Sequence, residues 1–303
     1  MELQQLKLFV TVAEEGHLTR AAERLFTSQP AVSAQLRALE DSLGVVLFDR
    51  TPKGMNLTSA GKQLLVQAQA TLRAAEQMMS KAKSMKGEVI GEIRIGVNSD
   101  FSFLKLPQLV SLMKEAHPGI QLSLVHGMSP DILLDVRKGQ LDAGFYFGPC
   151  DYANIQKNLL KEVETAIIIP AEWDDEVPLL PLHELAQQPW IYTTERCPFF
   201  QLMQQLLAER HTEIAKVALV DTEEAIREFI KFGHGIALLR ADDATRAEQE
   251  GWGKRWQGKS PTLPLSLALK SQRVQEPALK ALIATMAQLW PALNEAQLAE
   301  NAG

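Results

Sequence analysis

The chain has 303 residues, too many for one ordinary hydrophobic core, so two or three domains are expected. Hydrophobic residues at 46% and charged residues at 22% exclude a disordered chain. A formal charge of −6, taken over the whole chain, argues against a nucleic-acid partner, but residues 1–90 hold 11 Lys and Arg against 9 Asp and Glu, so the acidity belongs to the rest.

In chain order, Leu3, Leu6, Phe9, Val10 and Ala13 recur at three- and four-residue spacing and predict a helix that Gly16 ends. Thr19 is the expected N-cap of a second helix carrying Ala21, Ala22 and Leu25. Ser28 is placed to cap a third, with Pro30 in its first turn, Val32, Leu36, Leu39 and Leu43 as its inner stripe, and Gly44 as its stop. Two short helices joined tightly within a three-helix unit are helix-turn-helix anatomy. Val45 to Phe48 and Met55 to Leu57 read as a hairpin turning at Thr51-Pro52-Lys53-Gly54, a basic wing. From Thr58 to about Met85 one helix, roughly 40 Å long, carries a narrow seam of Leu65, Ala68, Leu72, Ala75, Met79 and Ala82. Such a seam fits pairing with another helix, and also fits a helix lying on a neighbouring domain.

Beyond Gly87 the pattern is strand–helix–strand. Strands are expected at Ile93 to Val97, Ile120 to Leu124, Ala143 to Phe147, Ala166 to Ile169, Trp190 to Thr193, Val217 to Val220, Ile236 to Leu239 and Leu265 to Leu269. Helices are expected around Leu104 to Met113, Ile132 to Val136, Ile226 to Ile230 behind a capping box at Asp221-Thr222-Glu223-Glu224, and Leu279 to Leu289. Repeated βαβ units predict a parallel sheet covered by helices, and about two hundred residues of them predict two α/β lobes.

A helix that reads the major groove needs short or planar hydrogen-bonding side chains at its N-terminus and cations beside it. Thr27, Ser28, Gln29, Pro30, Ser33, Gln35 and Arg37 supply that set, with Arg50 and Lys53 on the wing for phosphate or the minor groove. Polar residues on a short helix alone would fit a solvated face equally well. The full string goes further. Phe9, Ala21-Ala22, Leu25, Ser28-Gln29-Pro30-Ala31-Val32-Ser33, Gln35-Leu36-Arg37-Ala38-Leu39-Glu40, Leu43-Gly44, Leu47-Phe48-Asp49-Arg50 and Leu57-Thr58-Ser59-Ala60-Gly61 stand in the order and spacing of the LysR-type transcriptional regulators, which the chain resembles. One departure is Ala34, where many members carry arginine, so a phosphate or base contact is missing or supplied elsewhere.

The resemblance implies a winged helix-turn-helix over residues 1–58, a dimerising linker helix over 59–88 and a two-lobed α/β effector domain like periplasmic binding proteins over 89–303. Lobe I would span about 91–160 and 265–303, and lobe II about 161–264. It also implies a homodimer assembling to a tetramer on double-stranded DNA with an interrupted inverted repeat, RNA polymerase as a further partner, and a small-molecule effector in place of any cofactor. Ligands of open α/β sheets sit beyond the carboxyl ends of strands. That rule selects Asn98, Ser99, Asp100, Phe101, His126, Gly127, Tyr146 and Phe147 on one lobe, and Thr193, Thr194, Phe199, Asp221 and Thr222 on the other. Ser99, at a helix N-terminus, is the candidate for holding a carboxylate, although Asp100 beside it opposes an anion.

Cys150 and Cys197 are the only cysteines, too few for a disulfide-stapled secreted scaffold, and point to a reducing cytosol. Peroxide-sensing members of the family place two cysteines close together, whereas these are 47 positions apart. The start Met1-Glu2-Leu3-Gln4-Gln5-Leu6 has no signal-peptide pattern and no apolar run is long enough for a bilayer, so a cytoplasmic chain away from membranes is expected. Metal-ligand spacings, nucleophile elbows and phosphate loops are missing from the sequence, so an enzyme is not expected. The alternative is a metabolite-sensing module that leaves DNA alone, and the outward set Gln29, Ser33, Arg37 and Arg50 discriminates the two.

Overall fold

The computed structural model describes residues 1–51, 54–84, 90–208 and 214–293. Two compact units divide near Gly91.

The first unit holds α1 (Leu3–Glu15), α2 (Leu18–Arg24), α3 (Gln29–Leu43), the hairpin β1 (Phe48–Thr51) and β2 (Gly54–Leu57), and α4 (Ser59–Ser84). Gly16 and Gly44 close α1 and α3 in the left-handed conformation, and Ser28 Oγ accepts from the Ala31 N–H, as expected of those residues. The N-cap of α2 is His17, not Thr19, so that helix begins two residues earlier than the sequence implied. Once α1 ends at Gly16, the backbone turns at once into α2, and Thr19 Oγ1 is left to donate to Gln29 Oε1 at 3.3 Å. The hairpin is shifted along the chain: Val45 and Val46 lie outside it, and pairing runs from Phe48↔Leu57 to Thr51↔Gly54. Glu40 of α3 accounts for the shift, because its carboxylate accepts from the N–H groups of Leu47 and Phe48 and fixes where β1 starts. Gly54 is required there. Its φ is +128°, and a Cβ would lie 2.4 Å from the Gly16 carbonyl oxygen.

The core of this unit gathers Leu6, Phe9, Val12, Val32, Leu36, Leu39 and Phe48, with Phe9 edge-on to Phe48 at 5.6 Å. The α4 seam is split by it. Ala68 is buried in this same core, with Leu65 and Leu72 packed against it, whereas Met79 remains 56% exposed. Half of the seam therefore serves the chain's own fold, and the exposed remainder lies toward the C-terminal end of α4.

The second unit contains β3 (Gly91–Val97), α5 (Leu106–Ala116), β4 (Ile120–His126), α6 (Ser129–Lys138), β5 (Ala143–Phe147), β6 (Ile155–Pro170), α7 (Leu182–Leu185), β7 (Pro189–Tyr192), α8 (Pro198–Ala208), β8 (Ala215–Leu219), α9 (Glu223–Lys231), β9 (Ala237–Arg240), α10 (Ala241–Glu250), β10 (Gly253–Arg255), β11 (Thr262–Lys270) and α11 (Pro277–Leu289). The sheet is mixed rather than parallel: β3 pairs parallel to β5, but β11 runs antiparallel to both β5 and β6. A 16-residue strand was not foreseen. Along β6, Ile155–Glu164 pairs with β11 in the first lobe, and Thr165–Pro170 pairs with β9 and β10 in the second. With β11, it forms the connection between lobes. The capping box expected at Asp221 and Glu224 is replaced by a single cap, Thr222 Oγ1 accepting from the Ala225 N–H, which leaves Glu223 free for other partners.

Candidate functional site

Two surfaces gather the predicted residues, one in each unit. On the first unit, Thr27, Ser28, Gln29, Pro30, Gln35, Arg37 and Arg50 are exposed and Ser33 is half-buried. Gln29 and Ser33 follow one another at helical spacing, and the wing's Arg50 Nη2 donates to Ser33 Oγ at 3.3 Å. A guanidinium thus stands over the recognition helix one residue from Ala34, which offers no charge of its own. The tether from Thr19 orients the Gln29 amide and leaves its Nε2 without a partner among the described residues. Gln35 stands roughly 160° around the helix from Ser33, on the other flank. Lys53 lies outside the described residues. Phe26 was not foreseen: it is 98% exposed at φ +51°, in the connection that leads into α3.

On the second unit a cavity of about 340 Å³ lies between the lobes. Asn98, Ser99, Asp100, Phe101, His126, Gly127, Phe147, Thr193, Thr194, Phe199, Asp221 and Thr222 all line it. Tyr146 does not. Successive side chains of a strand point to opposite faces, so with Phe147 in the cavity Tyr146 packs behind β5 against Ile132, Leu133 and Val136. Burial there pushes its phenol up to about 12, against the opposing effect of its hydrogen bond with Ser266. Phe147 is flanked by Phe199 at 5.1 Å and Phe103 at 6.3 Å, which makes one wall aromatic.

Ser99 is not at a helix N-terminus, since α5 begins only at Leu106, and its hydroxyl is already engaged. It donates to the Glu223 carboxylate at 3.1 Å and accepts from Arg240. These contacts belong to a buried network that the sequence did not reveal. Arg240, 2% exposed, meets Glu223 at 2.7 Å, Asp100 at 2.8 Å and Asp243 at 3.3 Å, and lies 4.1 Å over the Phe103 ring. Arg227 meets Asp243 at 3.1 Å and Asp100 at 3.3 Å. Burial raises the Glu223 and Asp243 carboxyls above the ordinary range despite Arg240. Asp100 is held below it, because the two arginines outweigh its own burial. Ser99 and Asp100 follow β3 in the first lobe while Glu223, Arg227 and Arg240 come from the second, so the network crosses between lobes. An exposed pair, Arg196–Asp131 at 2.5 Å, crosses as well.

The strand-end rule already contained part of this: Arg240 terminates β9, and Glu223 adjoins the named Thr222. Met128, Ser129, Cys197, Pro198, Glu224 and Ile226 complete much of the lining. Cys150 packs in a first-lobe core and Cys197 against a separate second-lobe core, both as free thiols. Among the described residues no group of three metal-ligating side chains gathers, and no helix is long and apolar enough to cross a membrane.

Comparison with known proteins agrees with both units. The bacterial regulatory helix-turn-helix protein model of the lysR family matches residues 3–62, and the LysR substrate binding domain model matches 86–291. The HTH-type transcriptional regulator YofA of Bacillus subtilis is 30% identical over 239 residues, covering 79% of this chain and 81% of that one. IlvR of Caulobacter vibrioides is 30% identical over 247 residues, 80% and 83% of the two chains. Among solved structures, full-length CbnR with its target DNA shares the fold at a TM-score of 0.70 and 23% identity, covering 95% of this chain and 99% of that one. Full-length OxyR from Pseudomonas aeruginosa does so at 0.65 and 22% identity, over 95% of both. With both of its units matched in order by that family's two domains, the chain belongs to the LysR family of transcriptional regulators, which pair a helix-turn-helix DNA-binding domain with an effector-binding domain.

Proposed function

We propose that α3 enters the major groove of an interrupted inverted-repeat operator, where Gln29 and Ser33 read base edges and Thr27, Ser28, Arg37, Arg50 and Lys53 hold phosphates. The observation that carries this is the Arg50–Ser33 contact beside the tethered Gln29, which sets a cation and a planar amide on one exposed face. It also supplies from the wing the charge that Ala34 lacks. CbnR has been crystallised with target DNA, which supports the same docking here. Pro30 touches a thymine methyl, and Gln35, on the other flank, meets the backbone.

Pairing uses the exposed C-terminal half of α4, so Met79→Lys should lower the mass of the chain in solution, whereas Leu72→Lys would also damage its own core. Paired dimers form a tetramer in the cytoplasm, and a small effector in the interlobe cavity alters the lobe angle, DNA bending and contact with RNA polymerase. Footprinting DNA upstream of neighbouring genes tests the reading. Protection of two half-sites on one face, lost in Gln29→Ala, is the expected result. A footprint unchanged by that substitution overturns it.

A further inference from the structure

We propose that the interlobe cavity is built for a small organic amine and turns carboxylates away. The proposal rests on reading that cavity as the effector site and adds the charge of the ligand.

The hydroxyl best placed to receive an anion is spent, because Ser99 is bonded to the chain's own Glu223 carboxylate, which in turn is matched by Arg240. The arginines behind the wall are equally committed: Arg227, Arg240 and Arg246 face four carboxylates, Asp100, Glu223, Asp242 and Asp243, so the cluster carries no spare positive charge. Helix N-termini, ordinarily attractive to anions, are blunted here. Acidic Glu223 and Glu224 occupy the first turn of α9 and Asp131 that of α6, and α8 begins with Pro198, which has no N–H to offer. Four carboxylates and no Lys or Arg line the cavity among the described residues. Two of the four, Asp221 and Glu224, make no ion pair among the described residues and are exposed at its rim.

One of the remaining polar atoms can only accept, and the other can accept as well as donate. Asn98 Oδ1 is a buried acceptor without a partner, and the buried Thr193 Oγ1 is also unpartnered. An ammonium group supplies N–H donors for both kinds of acceptor and offsets Asp221 and Glu224. Its hydrocarbon or aromatic body would rest on Phe101, Phe147 and Phe199.

The test is calorimetric titration of the full chain with two probes of matched size, 2-phenylethylamine and 3-phenylpropionate. Three proteins are compared: wild type, Asp221→Asn/Glu224→Gln, and Thr194→Trp, which enlarges a cavity-lining side chain. Thermal unfolding of each variant certifies folding. The amine should bind wild type, fall about tenfold on the double variant as two charge contacts are lost, and fail on Thr194→Trp, while the carboxylate does not bind. Binding of the carboxylate that Thr194→Trp abolishes would overturn the amine assignment but keep the cavity as effector site. Amine binding that ignores Thr194→Trp would overturn the site itself. Failure of the amine on wild type, or affinity unchanged by the double variant, overturns the proposal directly.

Discussion

The two functional surfaces are assembled in opposite ways. The DNA-reading face is local: Gln29 and Ser33 sit on one helix, and Arg50 arrives from a wing only 17 positions away. Apart from half-buried Ser33 its side chains are exposed, and the Gln29 Nε2 remains available among the described residues. The interlobe cavity is non-local, since Ser99 meets Glu223 across 124 positions and Arg240 across 141, and its key charges are buried against one another. An exposed reader can lose a side chain and keep its fold. A buried charge network cannot, because removing one partner leaves the others uncompensated in a low dielectric.

That contrast is sharpest at Arg240. Replacing it by Ala strands Asp100, Glu223 and Asp243, and should cost the second unit about 3–5 kcal/mol, measured by denaturant unfolding. A loss no larger than that of an exposed pair such as Arg196–Asp131 would show that the network is solvated rather than structural.

Within the network the carboxylates should separate by sign. The Asp100 carboxyl is held below the usual range, so the fold favours its charged form. Its stabilisation is present above the ordinary carboxylate pKa and disappears as pH falls through the lowered value. The Glu223 carboxyl is raised by burial, so its charged form is a cost that grows as pH rises from the ordinary value through the raised one. At neutral pH, Asp100→Asn should therefore destabilise more than Glu223→Gln, and the gap should narrow in acid. Unfolding curves at neutral and acid pH check the order, and a reversed order would mean that Arg240 belongs mainly to Glu223.

On the DNA side the expected losses are smaller and leave the fold intact. Gln29→Ala should weaken binding to the specific operator by about 1–3 kcal/mol and relax its specificity. Arg37→Ala should weaken all duplexes and flatten the salt dependence by about one unit. Gel-shift titrations over a salt series distinguish them. Equal effects on specific and random DNA from both substitutions would remove the base-reading role of Gln29.

The same contrast explains what was legible in the sequence. Helix caps at Ser28 and Gly44 act within a few residues, so the string exposes them. The start of β1 does not, because Glu40 sets it from inside the preceding helix. In the second unit, strand ends pointed to Ser99 and Thr193, yet the charge network required knowing which ends face each other. The strand-end rule selects Tyr146 for the cavity because it counts positions and ignores the alternation of faces. The α4 seam showed an apolar stripe correctly but could not say that Ala68 would be consumed by the chain's own core.

Phe26 offers the smallest effect and the cleanest separation of stability from function. A bulky side chain in the left-handed region is disfavoured by about 1–2 kcal/mol, and this one gains no burial in return, being 98% exposed. Asparagine tolerates that conformation far better. Phe26→Asn should therefore stabilise the first unit by about 1 kcal/mol, seen as a rise in its unfolding midpoint. If the ring rests against the sugar–phosphate edge beside Ser28, the same variant should bind operator and random duplexes more weakly. A more stable protein with weaker binding marks Phe26 as a contact kept at the expense of the fold. Higher stability with unchanged binding would confine DNA contact to α3 and the wing, leaving the strained connection without a part in recognition.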